Sequence, residues 1–153
     1  MSGGIVLGDP DDEASIAMGN MNMVADFTNS EISGAATELK NYVLSGECLT
    51  IETCDMDAAA EWNGELVLDG VIEGSGFTGT LDGELTASEV TEGVTATAVA
   101  DVNLDVEGGF GVDDAGLMAG AFLMGGASVD YSVDGELEAT VVDTLVGGFY
   151  VAE

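Results

Sequence analysis

The sequence predicts an all-β fold, an antiparallel β-barrel of about eight to ten strands with glycine-rich turns and at most one short helix. Three observations carry this. Short stretches of Val, Leu, Ile, Thr and Phe alternate with Asp, Glu, Ser or Gly, and glycine or acidic turns interrupt them roughly every eight to twelve residues. Twenty-three glycines stand against one proline, as a tightly curved sheet requires, since glycine relieves crowding where a sheet coils and proline removes ladder donors. The 153 residues are 46% hydrophobic with a mean hydropathy of +0.31, enough for one domain to bury roughly 70% of the surface its unfolded chain exposes.

In chain order, residues 22–28 alternate, Asn29-Ser30 turns, and residues 31–37 return as the first hairpin. Between them and the next strands, residues 54–62 (CDMDAAAEW) place good helix formers after an aspartate able to cap, which predicts one or two helical turns. Residues 65–72, 76–86 and 91–107 follow as successive antiparallel strands with one apolar face. The last third continues with 117–123, 128–140 and 144–152. Asp134-Gly135 is a type I′ turn signal, Asp69-Gly70 and Asp82-Gly83 read as turns or bulges, and Gly108-Gly109 as a bend within a strand. The division expected is an N-terminal arm, 1–14, and a single barrel domain, 15–153.

Thirty acidic residues face one basic residue, Lys40, with no arginine or histidine, for a formal net charge of −29. Without those cations the chain cannot neutralise rows of phosphates, fork onto a carboxylate or run imidazole acid–base chemistry. Nucleic acid and anionic lipid are excluded as direct partners. Mutual repulsion among the carboxylates falls as salt shortens the Debye length, from ~8 Å at physiological strength to ~3 Å at 1 M, so a salt-adapted, saline setting is favoured. Acids alternate with apolar residues along nearly every strand, which makes them the solvated outer wall of the barrel rather than a site.

Catalysis is not expected. Serine and cysteine nucleophiles find no histidine base, and no feature singles out a carboxylate pair of the kind that cleaves glycosides. No cofactor is implied. Asp9, Asp11, Asp12 and Glu13 are the candidate calcium ligands, hard oxygens in a loop, with further acidic pairs at Asp55 and Asp57 and at Asp113 and Asp114. Such pairs also follow from composition alone, and none fits the twelve-residue calcium loop or a glycine–aspartate nonapeptide repeat. Cys48 and Cys54 either close a small loop as a disulfide, implying an oxidising compartment, or stand as two buried thiols. Met18, Met21, Met23, Met118 and Met124 read either as an adaptable binding face or as core, the alternation of Met21 with Met23 pointing to core. Trp62 and Tyr42 flank the cysteines, as a partner-binding loop or as an aromatic lid over one barrel end.

The opening MSGGIVLGDPDDEAS has neither a positive n-region nor the apolar stretch of a secretory signal. No segment is long and apolar enough to span a bilayer as a helix. The chain is therefore expected to be a mature fragment or a product that bypasses signal-directed export.

Three segments, VADFTNSEISG (24–34), GGFGVDDAGLMAGAF (108–122) and VGGFY (146–150), resemble the C-terminal β-barrel of transferrin-binding protein B-like surface lipoproteins. The likeness runs from about Asn20 to Val151 and implies an antiparallel barrel of about eight strands in a non-enzymatic binding or display role. Members of that family carry a lipid-anchored cysteine after a signal peptide, whereas Cys48 here lies far inside the chain.

The expected role is a structural or decorating subunit of a large assembly, such as a virion, tail or surface layer. It would be acidic outside and dock on a protein lattice, with homo-oligomers an option. The docking element would be the arm, with Ile5, Val6 and Leu7 as anchors, and the barrel would fold without it. The alternative is a secreted or cell-surface binding protein of the transferrin-binding type, capturing a host protein or small ligand. Localisation is expected to be on a virion or at the cell surface.

Overall fold

Residues 1–9, 12–45, 55–114 and 116–153 are described by the structure, a computed structural model. The strands are β1 (Ser2–Asp9), β2 (Asp12–Asp26), β3 (Glu31–Ser45), β4 (Asp55–Glu61), β5 (Asn63–Gly64), β6 (Leu66–Glu73), β7 (Gly76–Thr91), β8 (Val94–Asp113), β9 (Gly116–Val133) and β10 (Glu136–Ala152). All ten belong to one antiparallel sheet whose pairing path, β2-β1-β10-β9-β8-β7-β6-β3-β4, closes through β2–β3 into a ring. β4 pairs the second half of β3 and β6 the first half, while β5 and β6 both pair β7. Together β4 to β6 form one interrupted stave, and the sheet is an up-and-down barrel of the class expected.

Residues 2–9 are not an arm. They form β1, hydrogen-bonded to β10 from Ser2↔Ala152 to Gly8↔Val146 and to β2 from Ser2↔Asn22 to Asp9↔Asp12. The division into 1–14 and 15–153 therefore does not hold, because without β1 the ring is open between β2 and β10. The N-terminal amine adds a bond to the Met23 carbonyl at 3.0 Å, and Met23 N–H returns one to Met1 at 2.9 Å.

The helix expected at 54–62 is instead strand β4 over Asp55–Glu61, in register with β3 from Lys40↔Glu61 to Ser45↔Asp55. Alanine's helix preference amounts to only tenths of a kcal/mol per residue, and a helix this short is marginal in water. Pairing with a waiting strand outweighs both.

Two hairpins close where the sequence marked them. Asp134 and Gly135 take φ of 50° and 86° between β9 and β10, the left-handed pair a type I′ turn demands. Between β2 and β3 the turn spans 27–30, with Ser30 at φ 58°. Glu92 and Gly93, at φ 53° and 80°, make a further turn inside what reads as the continuous strand 91–107. Asp69-Gly70 and Asp82-Gly83 are neither turns nor bulges: the first lies inside the unbroken β6–β7 register and the second inside the unbroken β7–β8 register.

Asp26 organises the β2–β3 turn. Its Oδ1 accepts from Thr28 N–H at 3.0 Å and Asn29 N–H at 3.1 Å, and its Oδ2 accepts from Asn29 Nδ2 at 2.8 Å. The Asn29 side-chain bond, followed by the Asn29 backbone bond, holds the carboxyl below its ordinary value. A carboxylate whose pKa is lower folded than unfolded contributes stability above the unfolded value, ~3.9, and loses it as pH falls through the folded one. Asp26→Ala should therefore melt below wild type at neutral pH, and calorimetry should show that gap closing as pH falls below about 4.

Inward positions make an apolar core. Ile5, Met21, Met23, Ile32, Leu66, Leu68, Phe77, Leu81, Leu104, Leu123 and Val151 are at most 2% exposed, and no polar side chain is buried among the described residues. One end is plugged by aromatic rings: Phe77 lies 5.0 Å from Phe110 and 6.2 Å from Phe149, and Phe27 of the turn lies 5.1 Å from Phe110. Towards the other end the inward residues shrink to alanine, as at Ala17, Ala87, Ala96, Ala98, Ala100 and Ala127. Among the described residues, one end of the barrel is thus filled and the other open.

Candidate functional site

Strand parity sorts the outer surface into two walls. On β6, β7 and β8 the outward positions carry Asp69, Glu73, Asp82, Glu84, Asp101, Asp105 and Glu107, all exposed, and Glu65, also exposed, immediately precedes β6. Their cross-strand partners are mostly uncharged, as in Asp69↔Thr80, Thr80↔Asp105, Asp82↔Asn103 and Thr78↔Glu107, and only Glu84↔Asp101 sets two carboxylates opposite one another. Staggering keeps like charges apart where direct opposition would destabilise the pair.

The outward positions of β9 from Gly116 to Ser128, β10 from Thr140 to Ala152 and β1 from Ser2 to Gly8 carry no charge. One row across this second wall runs Phe122, Gly148, Val6, Met18, and the next Met124, Val146, Gly8. Phe122 is 82% exposed, Met124 65% and Tyr150 54%. Glycines between these side chains keep the wall low, and Tyr150 O–H reaches only the Met118 sulfur, at 3.7 Å. A bare apolar wall on a chain of net charge −29 is unexpected on solubility grounds, because most monomers scatter their exposed apolar residues.

The anchors expected on a free arm separate by parity. Ile5 and Leu7, 1% and 4% exposed, belong to the core, whereas Val6, 44% exposed, sits in the uncharged wall. Met21 and Met23 are core, and Met124 lies on the wall. Cys48, Cys54 and Asp11 lie outside the described residues, as do the side chains of Asp9, Asp12 and Glu13, although Asp9 and Asp12 face each other in register. Among the described residues no group of three or more His, Cys, Asp or Glu side chains is placed to hold a metal ion.

At the open end a cavity of about 250 Å³ is lined by Leu39, Asn41, Trp62, Val129, Tyr131, Asp143 and Leu145, among others. It widens into a mouth of about 680 Å³ bordered by Glu61, Trp62, Glu89 and Tyr131. The Trp62 backbone is held there by its amide N–H, which donates to the Leu39 carbonyl at 2.8 Å where the β4–β6 stave is interrupted. Lys40, paired with Glu61 at 3.2 Å, sits at the edge of the same interruption.

Sequence reasoning missed both features. Phe122 and Tyr150 each adjoin an inward residue, Leu123 and Phe149, so their outward parity was the available signal; for the cavity it was the alternating Ala96, Ala98, Ala100. Comparison with known proteins finds no matching family model, no matching curated protein and no matching solved structure.

Proposed function

We propose that this chain is a non-enzymatic β-barrel subunit of a larger assembly, of the virion, tail or surface-layer kind, seated through its uncharged wall with the acid wall turned to solvent. The observation that carries the reading is the partition of the outer surface: carboxylates crowd β6–β8 and are absent from the outward positions of β9 from Gly116 to Ser128, β10 from Thr140 to Ala152 and β1 from Ser2 to Gly8. A basic partner would engage the acid wall. The uncharged wall fits a neutral apolar surface, and a second copy of the same wall is such a surface. It is also an approach along which two strongly acidic chains meet without opposing the carboxylates of β6–β8, so repulsion between them is reduced there.

Sedimentation velocity of the full chain in about 1 M salt, where the Debye length is ~3 Å, tests the idea. Wild type should associate with rising concentration. Val6→Glu, which places a carboxylate in the middle of the wall between Gly148 and Met18, should remain monomeric with its melting temperature within a few degrees of wild type, as expected of an outward substitution. If both stay monomeric at about 100 μM, where even a contact of roughly −5.5 kcal/mol would be half formed, the docking reading fails.

A further inference from the structure

We infer that the open end of the barrel is a binding cup for a small amphiphilic cation, an apolar body carrying an ammonium-type head. The inference is independent of the uncharged wall. Barrel mouths are common ligand sites, apolar with a few placed polar groups, and this one is built by subtraction. Where the filled end sets Phe77 and Phe110 on the inward positions of β7 and β8, the open end of the same two strands sets Ala87, Ala96, Ala98 and Ala100, and the space released adjoins the cavity behind Trp62 and Tyr131.

Charge selects the class of ligand. The described inward side chains are apolar along the rest of the barrel, yet at this end Asn41 is polar and two positions hold carboxylates. Glu89 pairs with Ala96 and Asp143 with Ala127, both on the register that faces the interior. Asp143 lines the inner cavity and Glu89 the mouth. Such a departure from an otherwise strict alternation marks a place where folding alone did not choose the residue. Carboxylates beside two aromatic rings attract a cationic head, both directly and through the ring faces. The same carboxylates, backed by the net charge of the chain, repel fatty acids and other anions.

The protein carries its own reporter, because Trp62 is its single tryptophan. Intrinsic fluorescence should be titrated with decyltrimethylammonium, decyl sulfate and decanol, each below its micelle concentration, at physiological and at about 1 M salt to screen the outer surface. The expected result is a saturable response to decyltrimethylammonium that persists in high salt, a weaker one to decanol and none to decyl sulfate. Asp143→Asn should lower affinity for the cation about tenfold and leave decanol binding unchanged. Ala98→Phe, inserting a ring between Ala87 and Tyr131 in the register, should abolish all three responses with the cooperative melt retained. The inference is overturned if decyltrimethylammonium gives no saturable response, if decyl sulfate binds as well, or if neither Asp143→Asn nor a folded Ala98→Phe changes the titration.

Discussion

Removing residues 2–9 should leave a chain with no cooperative thermal transition. The eight residues look dispensable as sequence, yet β1 is a full stave. Its loss unpairs β2 on one side and β10 on the other and takes Ile5 and Leu7 out of the core. Burial of those two side chains is worth about 1.5–3 kcal/mol each. Beyond that, the open ring would present two long unpaired strand edges, a ready template for aggregation. Against a total stability of about 5–15 kcal/mol, the sum leaves little folded chain. Point substitutions separate the two faces of the same strand: Ile5→Asp should be nearly as damaging as the deletion, because it buries an unpaired charge. Val6→Asp, on the outer wall, should shift stability by less than about 1 kcal/mol. Circular dichroism melts decide the matter, and a deletion variant that melts cooperatively near the wild-type temperature would sink the argument.

The architecture was legible because alternation and turn chemistry are local. Asp134-Gly135 marks a hairpin by itself, since few other dipeptides tolerate two consecutive positive φ values, and the parity of Met21 and Met23 places them inside without reference to any neighbour. Strand length was less legible. Gly70, Gly83 and Gly125 look like interruptions but lie within continuous strands. A glycine in a strand signals a turn, a bulge or a close backbone approach, and the choice is made by a strand elsewhere in the chain. β1 was invisible for the same reason: GGIVLGD becomes a strand only when β10, more than a hundred residues away, lies beside it.

The candidate surfaces were half legible. Acids alternating with apolar residues marked the barrel's exterior, but each strand viewed separately gave no sign that one stretch of it is free of charge. That emerges only when β9, β10 and β1 become neighbours, through a closure between the two ends of the chain. The cup follows the same logic. Ala96, Ala98 and Ala100 read as small core residues, and only the register, which sets Ala98 between Ala87 and Tyr131, reveals a shortage of volume at one level of the interior.

The Gly108-Gly109 dipeptide should separate the two roles of glycine in this barrel in one experiment. The residues are adjacent in β8 and point to opposite faces. A Cβ at Gly108 would enter the interior and run into the Gly120 carbonyl oxygen and the Phe77 ring, with the Ala121 Cβ at 2.7 Å. The first of these is backbone and cannot turn aside. A Cβ at Gly109 would meet nothing closer than the Ser75 carbonyl oxygen at 3.5 Å, an ordinary contact. Gly108→Ala should therefore cost about 3 kcal/mol, at the upper end of what overpacking exacts. For a chain of this size that is a fall in melting temperature of roughly 6–12 °C. Gly109→Ala should be neutral or stabilising by about 0.4–1 kcal/mol, since it restricts only the unfolded chain. Paired urea titrations read both values. Equal effects would mean that glycine here serves strand flexibility rather than the close approach of β8 to β9. Unequal effects in the stated order tie the coiling of the barrel to the inward glycine, and leave the outward one as part of the flat outer surface.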